Sequence, residues 1–410
     1  MLKHHERKHI SVQKDNLFPR FLALCGGMVI FGGLERSFFE VLRIAREQGW
    51  EVHCIVNDWE NYRIVAAVED IGASWSTGFY QHKINRTMRN PFKLIKLTWG
   101  VIKTNAGLAK DVWKFRPTII LVPEFVSVLL NSPILSLARL LKIKVILRLG
   151  NAPHHSTFYR RVWRWGVNPF VDTFISCSND TEHALLAHGI PKRKSRVIYN
   201  VAPSRKIHET KGRNRDWNKI IFVGQIIPEK GLDLLIDAIG LLVARGYEVR
   251  LDVVGNLEGW VAPNYIGYRE KLYARVNKPD LNGRVRFLGY QDDVPNLMVK
   301  SGIHCSPSRP EMLEGMPLVV IEAKQSGIPS IAFHVGPFPE LINHGVDGWI
   351  CSEVSPDALA EGIAHFLSDP QKLKSAGRSA LLSAELFSYE SFSRKWLEII
   401  LGQTVAGRTG

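Results

Sequence analysis

Two glutamates eight residues apart, Glu314 and Glu322, lie in the stretch Ser306-Pro-Ser-Arg-Pro-Glu-Met-Leu-Glu-Gly-Met-Pro-Leu-Val-Val-Ile-Glu-Ala323 and bracket the start of a helix. Pro317 suits a first helical position, where its missing N–H costs nothing, and Leu318 to Gln325 continues as a mostly apolar helix that Gly327 ends. The early amides of such a helix lack partners and can bind an anion such as a diphosphate. Glu322 is four residues after Leu318 and shares that face. A carboxylate there repels phosphate, so its natural partners are hydroxyls, as with the acidic residue that binds ribose in dinucleotide folds. Glu314 precedes the helix and can point at the next group along. A glutamate pair by itself is also what two solvated surface carboxylates look like, so the neighbouring segments decide.

Upstream, Lys219 to Ala238 reads as a buried strand, a glycine turn at Gly224, Lys230 before Gly231, and an amphipathic helix. Downstream, Val285 to Tyr290 and Ile303 to Ser308 are short strands. Val335-Gly-Pro-Phe-Pro-Glu340 is a second turn rich in Gly and Pro, in which Glu340 suits a helix N-terminus. In this order the segments resemble the donor domain of retaining GT-B glycosyltransferases of family 4, also called glycosyl transferases group 1. The resemblance extends to Gly32-Gly-Leu-Glu-Arg36 as an N-terminal glycine loop, Val197-Ile-Tyr-Asn-Val201 as an interdomain crossover, and Gly345-Val-Asp-Gly-Trp-Ile350 after the second turn. It spans roughly residues 20 to 400.

The resemblance implies a nucleotide-diphosphate-sugar donor, with Glu314 and Lys230 as catalytic residues. Donor-binding residues would be Gly32, Gly33, Gly224, Gln225, Gly255, Tyr290, Gly315, Met316, Leu318 and Glu322. Lys230 would aim its ammonium at the diphosphate and stabilise the charge that grows on the leaving group. Gly32 and Gly33 would let the backbone approach the phosphates. Two positions depart from the pattern. An arginine usually follows the glycine of the first turn, and here that residue is Gln225, which leaves more of the diphosphate clamp to Lys230. A histidine commonly follows the strand equivalent to Val145 to Leu149, and here Gly150 and Asn151 stand there, with His154 and His155 a few residues on as possible sugar or acceptor contacts.

A chain of 410 residues, 45% hydrophobic and 22% charged, is too long for one ordinary core. Strand-like runs at Phe21 to Cys25, Glu51 to Val56, Ile119 to Val122, Val145 to Leu149 and Thr173 to Ser176 alternate with helices, and the alternation resumes from Ile220 to Leu367. The polar run Ala202 to Asn218 between them reads as a linker. Such alternation predicts α/β architecture with two parallel sheets, each covered on both faces. With the resemblance this becomes the GT-B fold, two Rossmann-like doubly wound domains facing across a cleft. The N-terminal acceptor domain is residues 1–200, completed by a C-terminal helix at about 386–410, and the donor domain is 201–385. Ligands of such sheets sit at the carboxyl ends of strands.

Charge is unevenly distributed. Between Lys83 and Trp165 there are sixteen Lys and Arg, at 83, 86, 89, 93, 96, 103, 110, 114, 116, 139, 142, 144, 148, 160, 161 and 164, opposed only by Asp111 and Glu124. Sixteen minus two equals the whole chain's +14. Trp99, Trp113, Phe158, Tyr159, Trp163 and Trp165 interleave with these cations. This is either a solvated cationic face or a surface for anionic lipid headgroups or a pyrophosphate-linked acceptor. No recognition motif for nucleic acid accompanies it, so nucleic acid is not an expected partner.

The cysteines Cys25, Cys54, Cys177, Cys305 and Cys351 sit in apolar runs without Cys-x-x-Cys spacing, which predicts reduced core thiols in a cytoplasm. The basic N-terminus and apolar Phe21 to Phe31 superficially resemble a signal peptide, but cleavage would delete the first strand. Pro123, Glu124, Asn131 and Pro133 interrupt Ile119 to Leu137, the most apolar stretch elsewhere, against a membrane span. His5-Glu-Arg-Lys-His9 fits a zinc-protease pattern only on a charged tail with no buried helix to hold it. No Asp-x-Asp occurs among sixteen aspartates, so neither a metal nor another cofactor is expected.

The expected function is a retaining, metal-independent transfer of a sugar to a lipid-linked saccharide or surface polysaccharide at the inner membrane face. The alternatives are a GT-B nucleotide-sugar epimerase and a non-catalytic nucleotide-sugar-binding partner protein.

Overall fold

Short runs of buried apolar residues alternate with helices twice along the chain, and each series builds its own parallel sheet in a computed structural model. The structure describes residues 18–28, 32–59, 61–78, 91–202, 215–256 and 265–402, with only the backbone of 91–97. The first series is β1 (Arg20–Leu24), α1 (Gly33–Glu47), β2 (Glu51–Asn57), α2 (Tyr62–Asp70), β3 (Ser74–Gly78), α3 (Pro91–Phe115) and β4 (Ile119–Val122). It continues with α4 (Phe125–Leu130), α5 (Ser132–Leu140), β5 (Lys144–Leu149), α6 (Thr157–Arg161), β6 (Thr173–Ser176), α7 (Asn179–Ala187) and β7 (Ser195–Val197). The second begins with β8 (Asp216–Val223), α8 (Leu232–Ala244), β9 (Arg250–Val254), α9 (Tyr268–Val276), β10 (Val285–Gly289), α10 (Val294–Val299) and β11 (Ser301–Ser306). It ends with α11 (Leu318–Gln325), β12 (Ser330–Phe333), α12 (Phe338–Leu341), β13 (Gly348–Cys351), α13 (Pro356–Leu367), α14 (Pro370–Ser383) and α15 (Tyr389–Leu401).

The sheet orders are β3-β2-β1-β4-β5-β6-β7 and β10-β9-β8-β11-β12-β13. All four residues of β4 and all six of β11 are buried, as a central parallel strand covered on both faces requires. In each sheet the chain winds outward from its first strand and then crosses back to that strand's other side. The reversal falls between β1 and β4 in one sheet and between β8 and β11 in the other. Loops leaving such strands at their carboxyl ends are where ligands bind in this architecture. Both fold-class expectations hold, the parallel sheets and their helical cover.

By contacts the chain divides into two compact units, Met1–Val29 with Leu42–Val122 and Leu130–Val145, and Ile30–Val41 with Pro123–Leu129 and Ile146–Gly410. Every residue of the candidate site below belongs to the second. The C-terminal helix α15 lies inside the span read for it, 386–410, of which 403–410 fall outside the described residues, and it buries Phe392, Trp396 and Ile400 at four-residue spacing. Beside it, the Lys395 ammonium lies 5.4 Å from the Tyr199 ring of the crossover segment.

Several readings need correction. Pro317 is not the first helical residue but the cap, with φ −70° and ψ 109°, and α11 begins at Leu318. The expected linker loses its last three residues, because β8 starts at Asp216, and its residues 203–214 lie outside the described ones, as does His5-Glu-Arg-Lys-His9. Edge strands β3 and β7 were not foreseen; one is largely exposed and the other is three residues long, so neither carries an apolar run. Trp163 is no surface aromatic but a core residue, 3% exposed, packed against Phe125 and Phe174. Arg148 is likewise no part of a cationic face, being 4% exposed inside β5. Positions 83, 86 and 89, and the side chains of Lys93 and Lys96, lie outside the described residues. All five cysteines are buried and unpaired, as the apolar runs around them predict.

Candidate functional site

The loops that leave β8 and β11 are fastened to each other. After Gly224, whose N–H donates to the Val254 carbonyl at 3.0 Å, the chain makes one 3₁₀ turn, Pro228–Lys230, and enters α8 through Gly231. Gly231 has φ 66°, and a Cβ there would collide with the Pro307 carbonyl of the other loop. Only glycine satisfies both conditions. From the facing side, the Arg309 N–H donates to the Glu229 carbonyl at 2.7 Å, and its guanidinium donates to both carboxylate oxygens of Asp233, at 3.0 and 2.7 Å. The Tyr268 hydroxyl donates to Asp233 as well, at 2.9 Å. Burial raises the Asp233 pKa, but the hydrogen bonds and charge of Arg309 outweigh it and hold the carboxyl below its ordinary value.

This fastening brings Lys230 and Glu314 together. Leu313 lies in the left-handed region at φ 49°, uncommon for a branched side chain, and Glu314 follows it into the interior. Glu314 is 7% exposed. Its Oε1 accepts hydrogen bonds from the Lys230 ammonium and from the Ser308 hydroxyl, the latter at 2.8 Å. A carboxylate this buried is stable as an anion only with such partners. Lys230, read as aimed at a diphosphate, rests on Glu314.

Immediately after Glu314, Gly315 passes so close to Gly150 that a Cβ on Gly315 would collide with the Gly150 carbonyl. A Cβ on Gly150 would in turn stand 2.7 Å from Leu34 Cδ2. The space that a side chain at position 150 would need is thus filled by Leu34, which accounts for the glycine. Met316 receives Asn200 twice: its sulfur accepts from the Asn200 N–H at 3.1 Å, and its carbonyl from the Asn200 side chain at 3.3 Å. Leu318 opens α11 against Gly33, Glu322 sits one turn further on and half-buried, and the helix stops before left-handed Gly327.

Other predicted residues are not bonded to this pair. Gln225 and Tyr290 are exposed, as are His154 and His155 on the loop after β5, and no hydrogen bond joins any of them to Glu314 or Lys230. Gly255 follows β9 and donates to the Gly289 carbonyl at 3.0 Å. Gly32 is tied by Glu35, whose carboxylate accepts its N–H at 2.9 Å; burial pushes the Glu35 pKa up. Glu340 does cap a helix, but not its own: its carboxylate accepts the N–H groups of Asn179 and Asp180 at the start of α7, at 2.8 and 2.7 Å.

Sequence reading passed over Ser308, Arg309, Asp233 and Arg148. A signal existed for the last, a cation with apolar neighbours on both sides in the strand Lys-Val-Ile-Leu-Arg-Leu; its guanidinium donates to Ser37 at 2.6 Å and to Asn200 at 2.5 Å. Among the described residues no cluster of His, Cys, Asp or Glu could hold a metal ion, and no helix is long and apolar enough to cross a membrane.

Comparisons with known proteins agree with this architecture. Residues 31–203 match the family model described as Glycosyltransferase Family 4, and residues 203–381 the one described as Glycosyl transferases group 1. An uncharacterized glycosyltransferase of Haemophilus influenzae is 26% identical over 211 residues, 51% of this chain and 56% of that protein. The chain thus spans about half the length of that curated relative. The lipopolysaccharide core biosynthesis mannosyltransferase LpsB of Rhizobium meliloti is 23% identical over 301 residues, covering 71% of this chain and 79% of the relative. Among solved structures, Anabaena HepE in complex with UDP superposes with a TM-score of 0.74 at 20% identity, covering 93% of this chain and all of the other. With residues 31–381 matched in succession by these two family models, and with this fold, the chain belongs among the GT-B glycosyltransferases.

Proposed function

We propose that this chain is a retaining, metal-independent transferase that moves a hexose-type sugar from a nucleotide-diphosphate-sugar to a lipid-linked saccharide or a growing surface polysaccharide. The observation that carries the reading is the buried Lys230–Glu314 pair where the loops of β8 and β11 meet, just ahead of the amino end of α11. The names of the Rhizobium and Anabaena proteins, a core mannosyltransferase and a UDP complex, support it.

In this reading the diphosphate settles at the first amides of α11 and draws the Lys230 ammonium to itself. Lys230 then neutralises charge on the departing phosphate, the work a metal ion does elsewhere. Glu322 receives the ribose hydroxyls and Glu314 those of the sugar. The bond from the anomeric carbon to the phosphate oxygen breaks as the acceptor oxygen bonds on the same face. The leaving phosphate takes the acceptor's proton, and the nucleoside diphosphate departs. An acceptor held in lipid places the protein at the cytoplasmic face of an anionic membrane.

Donor turnover across a panel of nucleotide-diphosphate-sugars, with and without membrane extract, tests this. Transfer that needs the extract, survives a chelator and keeps the anomeric configuration by NMR supports every part. Turnover of donor to an epimer without any acceptor would replace the reading with an epimerase.

A further inference from the structure

Arg148 is withdrawn from water with no counter-ion in contact. Its guanidinium, buried on β5, donates to the Ser37 hydroxyl and to the Asn200 side-chain oxygen, and both acceptors are neutral. Lys324, also buried, meets the Asp347 carboxylate instead. A guanidinium stays protonated even where burial lowers its pKa, as it does here. The Cys177 thiol beside it is kept neutral by its own burial. Glu35 acts on Arg148 only from a distance, because its carboxylate is engaged by the Gly32 N–H and forms no ion pair with the guanidinium. Withdrawing a full charge from water is costly unless an opposite charge joins it, so Arg148 favours an anion nearby.

Its hydrogen bonds lead to the start of α11. Asn200, which takes the guanidinium on its oxygen, gives its side-chain N–H to the Met316 carbonyl at 3.3 Å and its backbone N–H to the Met316 sulfur at 3.1 Å. Met316 is two residues before Leu318, the first residue of α11, and the cap Pro317 offers no side-chain acceptor to the opening amides. On the other side, Ser37 stands one turn into α1, whose first residue faces the same point: a Cβ on Gly33 would lie 3.4 Å from Leu318 Cδ1. Glu35 already answers the amino end of α1. The amino end of α11 has no such carboxylate on its cap, and there the helix dipole and the charge of Arg148 favour the same sign of ligand.

We propose that Arg148 is a positioning residue for the donor: it supplies a standing positive charge that favours the diphosphate at the first amides of α11 without touching it, through the line Arg148–Asn200–Met316. Lys230 must leave Glu314 to reach a phosphate, whereas Arg148 keeps its partners and is in place beforehand. A staple with only a structural task would need a hydrogen-bond donor at this position, not a charge. The proposal rests on the donor reading above, but pyrophosphate binding is measured without nucleoside, sugar or turnover, so the two can fail separately.

The test is calorimetry of the full chain with inorganic pyrophosphate, and with UDP, GDP and ADP beside their monophosphates. Arg148→Gln keeps an amide donor for Asn200 and removes the charge; Arg148→Lys keeps the charge. The glutamine variant should bind pyrophosphate about tenfold or more weakly, the scale of one unit charge across a partly buried site, and should lose preference for a diphosphate over its monophosphate. The lysine variant should recover most of both. Should the glutamine variant melt below the assay temperature, Arg148→Met takes its place, since the Ser37 hydroxyl still serves Asn200 at 3.1 Å. Unchanged pyrophosphate affinity without the charge overturns the proposal, as does an equal loss in the glutamine and lysine variants or a native chain that binds no pyrophosphate. Pyrophosphate binding that depends on the charge of Arg148, with none of the three nucleotides bound, would uphold it and overturn the donor reading instead.

Discussion

Two regions of this molecule carry lysine and arginine in opposite ways. In the loops after β8 and β11, and on α11 between them and the next strand, cations meet carboxylates one to one: Lys230 with Glu314, Arg309 with Asp233, Lys324 with Asp347. On α3 and α5 and at their ends, Lys103, Lys110, Lys114, Arg116, Arg139 and Lys142 are exposed, and the one carboxylate of these helices, Asp111, accepts from the Ser76 hydroxyl. Burial explains the difference. A charge withdrawn from water must be paired and hydrogen-bonded, so the loops fix both the identity and the direction of each partner. A charge left in water is not tied to one fixed geometry and responds to a field from outside. The first arrangement is sensitive to single substitutions; the second responds to salt and to the sum of its charges.

The sharpest way to break the contrast is Lys324→Met. Lys324 and Asp347 are each 1% exposed and meet at 2.6 Å, with Ser383 and Asn343 completing their hydrogen bonds. Removing the lysine strands a buried carboxylate, and unfolding by denaturant should show a loss of about 3–5 kcal/mol. Adding Asp347→Asn should restore much of that, because no charge is then left unpaired. A loss no larger than that of an exposed lysine on α3 would erase the distinction.

Lys230→Ala tests the same contrast in catalysis. Turnover should fall about a hundredfold or more, the scale of one transition-state donor lost. Glu314→Ala should abolish turnover while sparing affinity for the nucleoside diphosphate, and Glu322→Ala should weaken that affinity. Gln225→Arg, adding charge to the same turn, should leave activity intact or tighten donor binding. Calorimetry and a transfer assay read all four. Near wild-type turnover in Lys230→Ala would mean that the diphosphate is held elsewhere.

Much of this was legible beforehand, for physical reasons that differ by region. The central strands and α15 declare themselves through buried apolar residues at fixed periods, which are properties of the local chain. Loop residues in the Glu314 and Gly224 segments were chosen through the resemblance of their ordered motifs to a known family, which spacing alone does not supply. Nothing local could show that Lys230 is bound by Glu314, or that Gly315 needs Gly150, since these contacts join residues far apart in sequence. The same applies to charge: Arg148 and Trp163 count toward a basic, aromatic stretch by position, yet the fold turns both inward.

His304 sharpens the rule from the neutral side. It lies on β11, 0% exposed, with Nδ1 facing the Ser330 hydroxyl at 3.0 Å and Nε2 without a partner. Burial with no opposing charge pushes its pKa down to about 3. The folded protein keeps it neutral while the unfolded chain takes up a proton near pH 6.5. Stability present above that pH should therefore be lost as pH falls from about 6.5 toward 3, at about 1.4 kcal/mol per unit. His304→Gln should flatten that limb in denaturation curves taken at successive pH values, and an unchanged slope would assign the acid loss to other groups.

The smallest effect expected is at Ser308, and it bears on what happens when a pair must open. Glu314 Oε1 serves two donors, the Lys230 ammonium and the Ser308 hydroxyl. A diphosphate that recruits Lys230 leaves Ser308, itself 0% exposed, to keep Glu314 directed at the sugar. Ser308→Ala should cut turnover about tenfold, as for one lost hydrogen bond to a charged group, with the donor KM little changed because Lys230 still reaches the phosphates. Ser308→Thr, which keeps the hydroxyl, should recover part of that turnover. A loss confined to thermal stability, with kcat unmoved, would make Ser308 only a packing residue and leave left-handed Leu313 as what directs Glu314.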